Sequence, residues 1–489
     1  MTETINISNR IQDILDSVTY FAPELSIAIC FLLVIVVDLF LKKSEKLVFS
    51  LSMLGILSGG VFLYLQLNSV HQTNILFNGM YALNKNIIIF KLLSLFAAAL
   101  SLIFFSQDKK LTNHIKGIND FYTIFLGAIL GVLILISAAH LLMVFIAIEM
   151  ISLASYLMVS YAANNQSKAE AGMKYVLFGA TASAIMLYGI SFIYGFSGSL
   201  DLFNSSIPDG LNEVVPLMKT LVILLFMAGI GFKLSFVPFH FWTPDAYQEA
   251  PTSVSSFLAT VPKIAVFALL FNINDVWHLN GEIYKIIISS VAMLSMIFGN
   301  VIALFQKDPK RMMAYSSIGH TGFILILFVI PEIQIFQALI FYLFVYVLMN
   351  IGAFLSFAHF EENYRVKTLT QLKGLGKISP FVGVSLVVIM VSLIGLPPTG
   401  GLIAKFFVFT TLISSLSSSV YLLPLLIVAV LTTVISLFYY FSIPLNLFLK
   451  KVENSVKPTH SNSFVMVLIV FIGILILLLG LLPSLFNFF

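Results

Sequence analysis

The sequence predicts an all-α polytopic membrane protein with about fourteen transmembrane helices, built around two inverted five-helix repeats. Three observations predict it. The chain of 489 residues is 59% hydrophobic and 10% charged, with a mean hydropathy of +1.03; soluble domains carry about 25% charged residues. Apolar runs of about 20 residues, the length that crosses a bilayer, recur from end to end. Two of these runs are broken by Pro and Gly beside a lysine. One reads FKLSFVPFHFWTP, with Lys233 five residues before Pro238; the other reads GLPPTGGLIAK, with Lys405 just after Pro397, Pro398, Gly400 and Gly401.

The spans are predicted near 20–41, 47–66, 88–106, 120–138, 140–161, 170–195, 214–240, 253–273, 283–305, 312–330, 334–359, 380–417, 421–449 and 463–486, and are numbered 1 to 14 in that order. Residues 1–19 are polar and of mixed charge. Arg10 is not followed directly by a short apolar core and a small-residue cleavage site, so span 1 is expected to stay as a membrane helix and not to leave as a signal peptide. The single cysteine, Cys30, lies within span 1; one thiol forms neither an internal disulfide nor a multi-cysteine metal site. The net charge of +4 is too small to imply a nucleic-acid partner. There is no metal-spaced Cys/His cluster, no G-x-x-x-x-G-K-[ST] loop and no strand-borne G-x-G-x-x-G. The chain itself is therefore expected to bind no metal, flavin, nicotinamide, haem or iron–sulfur cluster. Its aromatic residues, 14% of the chain, are expected to pack or to face lipid.

Orientation follows from lysine and arginine. Loops after odd-numbered spans hold 17 of the 26 basic residues, among them Lys42, Lys43, Lys116, Arg311 and Lys457; the opposite side holds Arg10, Lys85, Lys91, Lys219 and Lys285. The positive-inside rule then puts both termini on the non-cytoplasmic side. Lys174, Lys233, Lys263 and Lys405 fall within spans. Spans 4–8 form one five-helix unit and spans 9–13 the other. An odd number of spans per unit makes the second enter from the opposite side, and the discontinuous span is the fourth of each unit, span 7 and span 12. The single membrane domain thus divides into 1–112 (spans 1–3), 113–277 (first unit), 278–455 (second unit) and 456–489 (span 14).

Two long motifs carry a family resemblance. The stretch PFHFWTPDAYQEAPTSVSSFLATVPK, residues 238–263, and KRMMAYSSIGHTG, residues 310–322, resemble signatures of the antiporter-like membrane subunits of respiratory complex I, the NADH:quinone oxidoreductase. The wording is closer to the N branch of that family than to the L and M branches, and a lysine on the broken span 12 also fits N. The resemblance implies a proton-translocating membrane-arm subunit in a bacterial inner (plasma) membrane. Its implied partners are other membrane subunits of complex I, membrane lipids, protons and internal water. NADH, flavin, iron–sulfur clusters and quinone would belong to partner subunits.

The candidate chemistry rests on ionisable groups in apolar helices. Each costs about 2.5–3.5 kcal/mol at the bilayer centre on insertion scales, so such groups persist where they have a partner or a task. Glu149, in FIAIEMISL of span 5, and Lys233 form the expected switch pair. Burial disfavours the charged form of each, and bringing them together favours it; pairing would hold a proton on Lys233 and separation would release it. In the resembled family this pairing is the proposed switch. Lys263 follows Pro262, which frees the carbonyl of Leu258 in span 8, and is the expected next station. Lys405 is the expected terminal station, with Lys233 and Lys405 at equivalent sites of the two units. Lys174, four residues after Glu170, is either a station or a helix-end ion pair. His320 can both donate and accept a proton near neutral pH and can bridge Lys263 and Lys405. His240, Asp245 and Glu249 are expected to fix the junction of spans 7 and 8, and the hydroxyls of Tyr315, Ser316 and Ser317 to order water or pack. Two other functions fit the same chain: a subunit of a multi-subunit sodium/proton antiporter, and a passive membrane scaffold.

Overall fold

The computed structural model describes residues 7–41, 44–70, 72–114, 117–277, 281–330, 335–416, 419–451 and 463–482. Lys42, Lys43, Lys116 and Lys457, counted above for orientation, and the end of span 14 lie outside the described residues. Among those described, thirteen helices are long and apolar enough to cross a membrane, from Ala22–Phe40 to Ser463–Leu481. The remaining span, span 12, is divided between two shorter apolar helices, Pro380–Ile394 and Gly400–Ser414. All fourteen predicted spans are present.

Local chemistry sets several boundaries that periodicity did not. Span 6 runs from Gln166 to Ser197, starting before the predicted residue 170 because the Asn165 side chain caps it, accepting the Lys168 N–H at 2.9 Å. A short helix, Ile7–Tyr20, precedes span 1 where the sequence suggested only a polar segment. Its Ile11, Ile14, Leu15 and Val18 are exposed and fall on one face, the pattern of a helix lying in an interface.

Both predicted breaks occur. Span 7 is the helix Pro216–Leu234, a turn, and the short helix Thr243–Glu249. It stops at Leu234 because Ser235 adopts left-handed backbone (φ 61°, ψ 31°) and turns its N–H back to the carbonyls of Gly231 and Phe232. The first half of span 12 stops at Ile394, where Gly395 has φ 88°, a conformation that favours glycine.

The two units have matching neighbours. Span 4 packs on spans 5 and 8, and span 9 packs on spans 10 and 13; span 6 packs on span 7, and span 11 on both halves of span 12. Shifting the numbering by five maps one set onto the other, as inverted repeats require. Spans 8, 10 and 11 are the most enclosed, each 94% buried over its apolar window. Of these three helices, span 8 carries Lys263 and span 10 carries His320.

On the face where the even-numbered loops lie, a small hairpin interlocks three loops. Strand β1, Asn74–Leu76, pairs antiparallel with β2, Tyr81–Leu83, across a turn in which Gly79 has φ 91°. The Ala82 N–H donates to the Ser137 carbonyl at 2.8 Å and the Ala139 N–H to the Met80 carbonyl at 3.1 Å. Residues 139–141 pair in turn with 200–202 through Leu141 N–H to Leu200 and Leu202 N–H to Ala139, both at 2.8 Å.

The break in span 12 leaves no room at Gly401, where an added Cβ would stand 1.8 Å from the Ser392 carbonyl oxygen. Gly401→Ala is expected to destabilise the protein by about 1–3 kcal/mol, as overpacking does. Gly60→Ala, inside the helix Glu45–Ser69 with nothing within 4 Å of the new carbon, is expected to cost nothing and to stabilise by up to about 1 kcal/mol. Thermal unfolding of the two purified variants in detergent checks this; equal melting temperatures would contradict the tight closure of the break.

Candidate functional site

Lys233 is the penultimate residue of the first half of span 7 and is 3% exposed. Among the described residues its Nζ has no hydrogen-bond partner. Instead it lies over three aromatic rings, 5.6 Å from Phe232, 5.8 Å from Tyr156 and 5.9 Å from Tyr175, which attract a cation through their quadrupoles. Tyr175 stacks on Trp242 at 4.3 Å, and Trp242 donates its indole N–H to the Phe232 carbonyl at 3.0 Å. The cage and the break are thus one construction. Glu149 is half-buried on span 5, and its Oε1 is without a partner among the described residues. It is the acid whose field reaches Lys233, but no ion pair or hydrogen bond joins the two.

Lys263, 1% exposed, is held differently. Its Nζ donates to Ser317 Oγ at 2.6 Å and Thr321 Oγ1 at 2.9 Å, neighbours at i and i+4 on one face of span 10. Ser317 Oγ is 2.8 Å from the Tyr346 hydroxyl. Thr321 Oγ1 donates to the Leu234 carbonyl at 3.0 Å, one of the backbone groups freed by the break in span 7. The hydroxyl of Thr321 therefore ties Lys263 to the residue next to Lys233.

His320 lies on the same helix, 6% exposed. Its Nδ1 is 2.8 Å from the Tyr342 hydroxyl and its Nε2 3.2 Å from that of Tyr440; Tyr440 in turn hydrogen-bonds Ser316. Lys405 and Lys263 are the two cations whose fields act on His320. Lys405, 8% exposed, donates to the Ile394 carbonyl at 2.7 Å and lies 5.6 Å from the centre of the Phe323 ring. His320 and Lys405 border one cavity of about 20 Å³, with Asn300, Thr432, Ser436 and Tyr439 on its wall. A cavity needs about 10–15 Å³ and two to four polar partners to hold a water; this one has both.

The arrangement contains ionisable groups, hydroxyls and room for water, and among the described residues no group of three or more His, Cys, Asp or Glu side chains placed to hold a metal ion. The family described as "NADH:quinone oxidoreductase/Mrp antiporter, TM" matches residues 138–436, a stretch that contains Glu149, Lys233, Lys263, His320 and Lys405. The chain belongs to that family. It is similar to NADH-quinone oxidoreductase subunit N 2 of Chloroherpeton thalassium, with 35% identity over 94% of this chain and 91% of that one. Subunit N of Chlorobium chlorochromatii is equally similar, at 35% over the same shares. Among solved structures, a chain of respiratory complex I from Thermus thermophilus matches with a TM-score of 0.78 and 30% identity, covering 95% of this chain and 98% of that one. A chain of the Mrp complex from Dietzia sp. shares the fold at a TM-score of 0.78 and 18% identity.

Several expectations need correction within this family frame. Lys233 and Lys405 sit on equivalent spans but not at equivalent positions: Lys233 ends the half-helix before its break, and Lys405 lies in the half-helix after its break. Lys174 is not in the buried line. Its side chain is 43% exposed and pairs with Glu170 at 2.9 Å and Asp245 at 3.1 Å. Asp245 also accepts from Arg311 at 2.8 Å, so it fastens the short helix of span 7 to spans 6 and 10, the fixing role expected of that junction. Tyr342, Tyr346 and Tyr440, assigned by composition to packing, hydrogen-bond the site. The i,i+4 spacing of Tyr342 and Tyr346 in an apolar run was the available signal.

One buried pair escaped the sequence reading. Lys91, counted among the basic residues outside the spans, lies within the helix Lys85–Gln107 and forms an ion pair with Glu24 of span 1. Both side chains are fully buried. The Tyr81 hydroxyl of strand β2 bonds both, at 3.0 Å from Glu24 and 2.6 Å from Lys91, so the pair anchors the hairpin. Lys91→Ala strands a buried carboxylate and is expected to cost about 3–5 kcal/mol, whereas replacing both partners by Leu is expected to recover most of that loss. Thermal unfolding of the single and double variants decides it; a double variant no more stable than Lys91→Ala would show that the pair does more than offset its own charges.

Proposed function

We propose that this chain is a proton-translocating membrane-arm subunit of an NADH:quinone oxidoreductase, of the N type, and that it moves protons through Glu149, Lys233, Lys263, His320 and Lys405. Electron transfer, with its flavin, iron–sulfur clusters and quinone, belongs to partner subunits. The chain resides in a bacterial inner membrane with both termini on the non-cytoplasmic side, the orientation that the lysine and arginine bias supports. One observation carries the reading. Three lysines are buried among the most enclosed helices and the two helix breaks, and none makes an ion pair with a carboxylate among the described residues. A static scaffold would pair such charges or dispense with them.

The mechanism follows from how each lysine is held. Lys233 has no fixed donor–acceptor bond, only rings and the field of Glu149. Moving Glu149 toward it favours the ammonium and moving it away favours the amine. A proton released there meets Lys263, whose hydroxyl partners Ser317 and Thr321 both accept and donate. His320, between tyrosine hydroxyls, links this segment to the cavity at Lys405. Lys405 itself caps a backbone carbonyl of the break, so a change in the break alters its ammonium directly. Each charge moved against 100 mV requires about 2.3 kcal/mol, which the partner subunits must deliver through Glu149.

Charge-preserving substitutions separate relay from scaffold. Lys263→Arg keeps a cation but cannot release its proton. In the assembled complex in vesicles, Lys233→Ala, Glu149→Ala and Lys263→Arg are each expected to reduce proton pumping by about tenfold or more, with Glu149→Asp milder and assembly intact. Full pumping by Lys263→Arg would reject the relay in favour of a scaffold, and pumping that depends on sodium would favour an antiporter.

A further inference from the structure

A second cavity, of about 320 Å³, lies where the first unit meets the second, enclosed by spans 6, 7, 8 and 9 and the helix Ser206–Glu213. It stands on the face that carries the hairpin. Its wall is largely apolar, with Ile193, Ile223, Phe226, Met227 and Leu270 among the lining residues. Three polar side chains, Tyr284, Lys219 and Asn212, interrupt that wall. Tyr284 is 3% exposed, and its hydroxyl has no hydrogen-bond partner among the described residues, although a buried tyrosine ordinarily finds one. Lys219, half-buried in the first turns of span 7, also lines the cavity; its Nζ donates to Asn212 Oδ1 at 2.6 Å, which uses one of its three N–H bonds.

We infer that this cavity is a binding site for one acyl chain of an anionic phospholipid, whose phosphate sits on Lys219. Volume, polarity and position argue together. Small-molecule sites start near about 300 Å³ and pair apolar walls with a few placed polar groups. Apolar walls left uncovered by a ligand forfeit dispersion contacts along their lining. The surrounding medium supplies alkyl chains at high concentration. The Tyr284 hydroxyl, which has no partner among the described residues, is a donor for the ester carbonyl at the top of the chain, and Lys219 at the rim is the cation for the phosphate through a charge-assisted hydrogen bond. The chain would contact Phe226 and Met227, on the half-helix that carries Lys233; Met227 is six residues, about 9 Å, before it. The lipid would thus wedge the seam between the units and steady the half-helix of the proposed switch. This inference goes beyond the relay and is read without turnover, so either can fail alone.

The test is native mass spectrometry of the purified full chain, delipidated and titrated with phosphatidylglycerol or with phosphatidylcholine. Wild type is expected to retain one phosphatidylglycerol with about fivefold preference over phosphatidylcholine, the worth of one lysine beside an anionic headgroup. Lys219→Gln is expected to abolish the preference, Tyr284→Phe to weaken both lipids alike, and Ile223→Trp, which fills the cavity, to remove the retained lipid. Equal affinity of wild type for the two lipids overturns the inference. So does a preference that survives Lys219→Gln, or a lipid retained by a folded Ile223→Trp variant.

Discussion

Everything at the centre of this protein answers to one constraint: a helix broken in an apolar slab frees backbone groups that lipid cannot satisfy. Span 7 frees the carbonyl of Leu234, which Thr321 answers, while the Phe232 carbonyl accepts from both the Ser235 N–H and the Trp242 indole. The N–H of Val237 is met by Ser295 of span 9 at 3.0 Å. Span 12 frees the carbonyl of Ile394 and the N–H of Gly401; Lys405 answers the first and Ser392 the second. The two breaks therefore differ in one functional respect. In span 7 the backbone is satisfied without the lysine, which leaves Lys233 unattached inside its aromatic cage. In span 12 the lysine is part of the repair. A group that responds to a distant field must be free to change partner, whereas a group at the end of a path gains from being coupled to a flexible joint. The first description fits Lys233 and the second Lys405.

The polar groups between them form segments and not a continuous wire. Lys263, Ser317, Thr321 and Tyr346 make one hydrogen-bonded set, and His320, Tyr342, Tyr440 and Ser316 another. Both hang on span 10, and the His320 and Tyr346 rings are 5.5 Å apart without a bond between them. Such gaps suit a transporter. A permanently connected chain would leak protons whenever the membrane is energised, while segments joined only by water or side-chain movement can be opened in turn. The enclosure of spans 8, 10 and 11 keeps the dielectric low, so a small displacement of one charge changes the energy of the next appreciably.

The transmembrane plan was legible because apolar length and Pro/Gly punctuation report directly on bilayer crossing. Lys233, Lys263, Lys405 and Glu149 were legible for the same reason, as charges in runs that exclude them. What the sequence did not reveal depends on tertiary contact. The hairpin at Asn74–Leu83 has strands of three residues, too short for alternation to register, and only Asn78-Gly79 marked its turn. Glu24 and Lys91 lie within two turns of the ends of their helices, where single charges usually reach water, and only the fold shows them facing each other around Tyr81. Asp245 was read as fixing a junction, but its partners Lys174 and Arg311 are 71 and 66 residues away. The opposite placement of Lys233 and Lys405 relative to their breaks is written in the sequence, with Lys233 five residues before Pro238 and Lys405 four after Gly401.

The proposed relay requires Lys233, Lys263, His320 and Lys405 to lie on one path that water completes. The most direct measurement is an electron cryomicroscopy map of the assembled complex in lipid nanodiscs, resting and during turnover, at a resolution that places ordered waters. A working relay is expected to show waters bridging the cage of Lys233 to the hydroxyls around Lys263, and waters in the cavity between His320 and Lys405, with at least one bridge differing between the two states. A dry apolar barrier between Lys233 and Lys263, or between His320 and Lys405, in both states would contradict it.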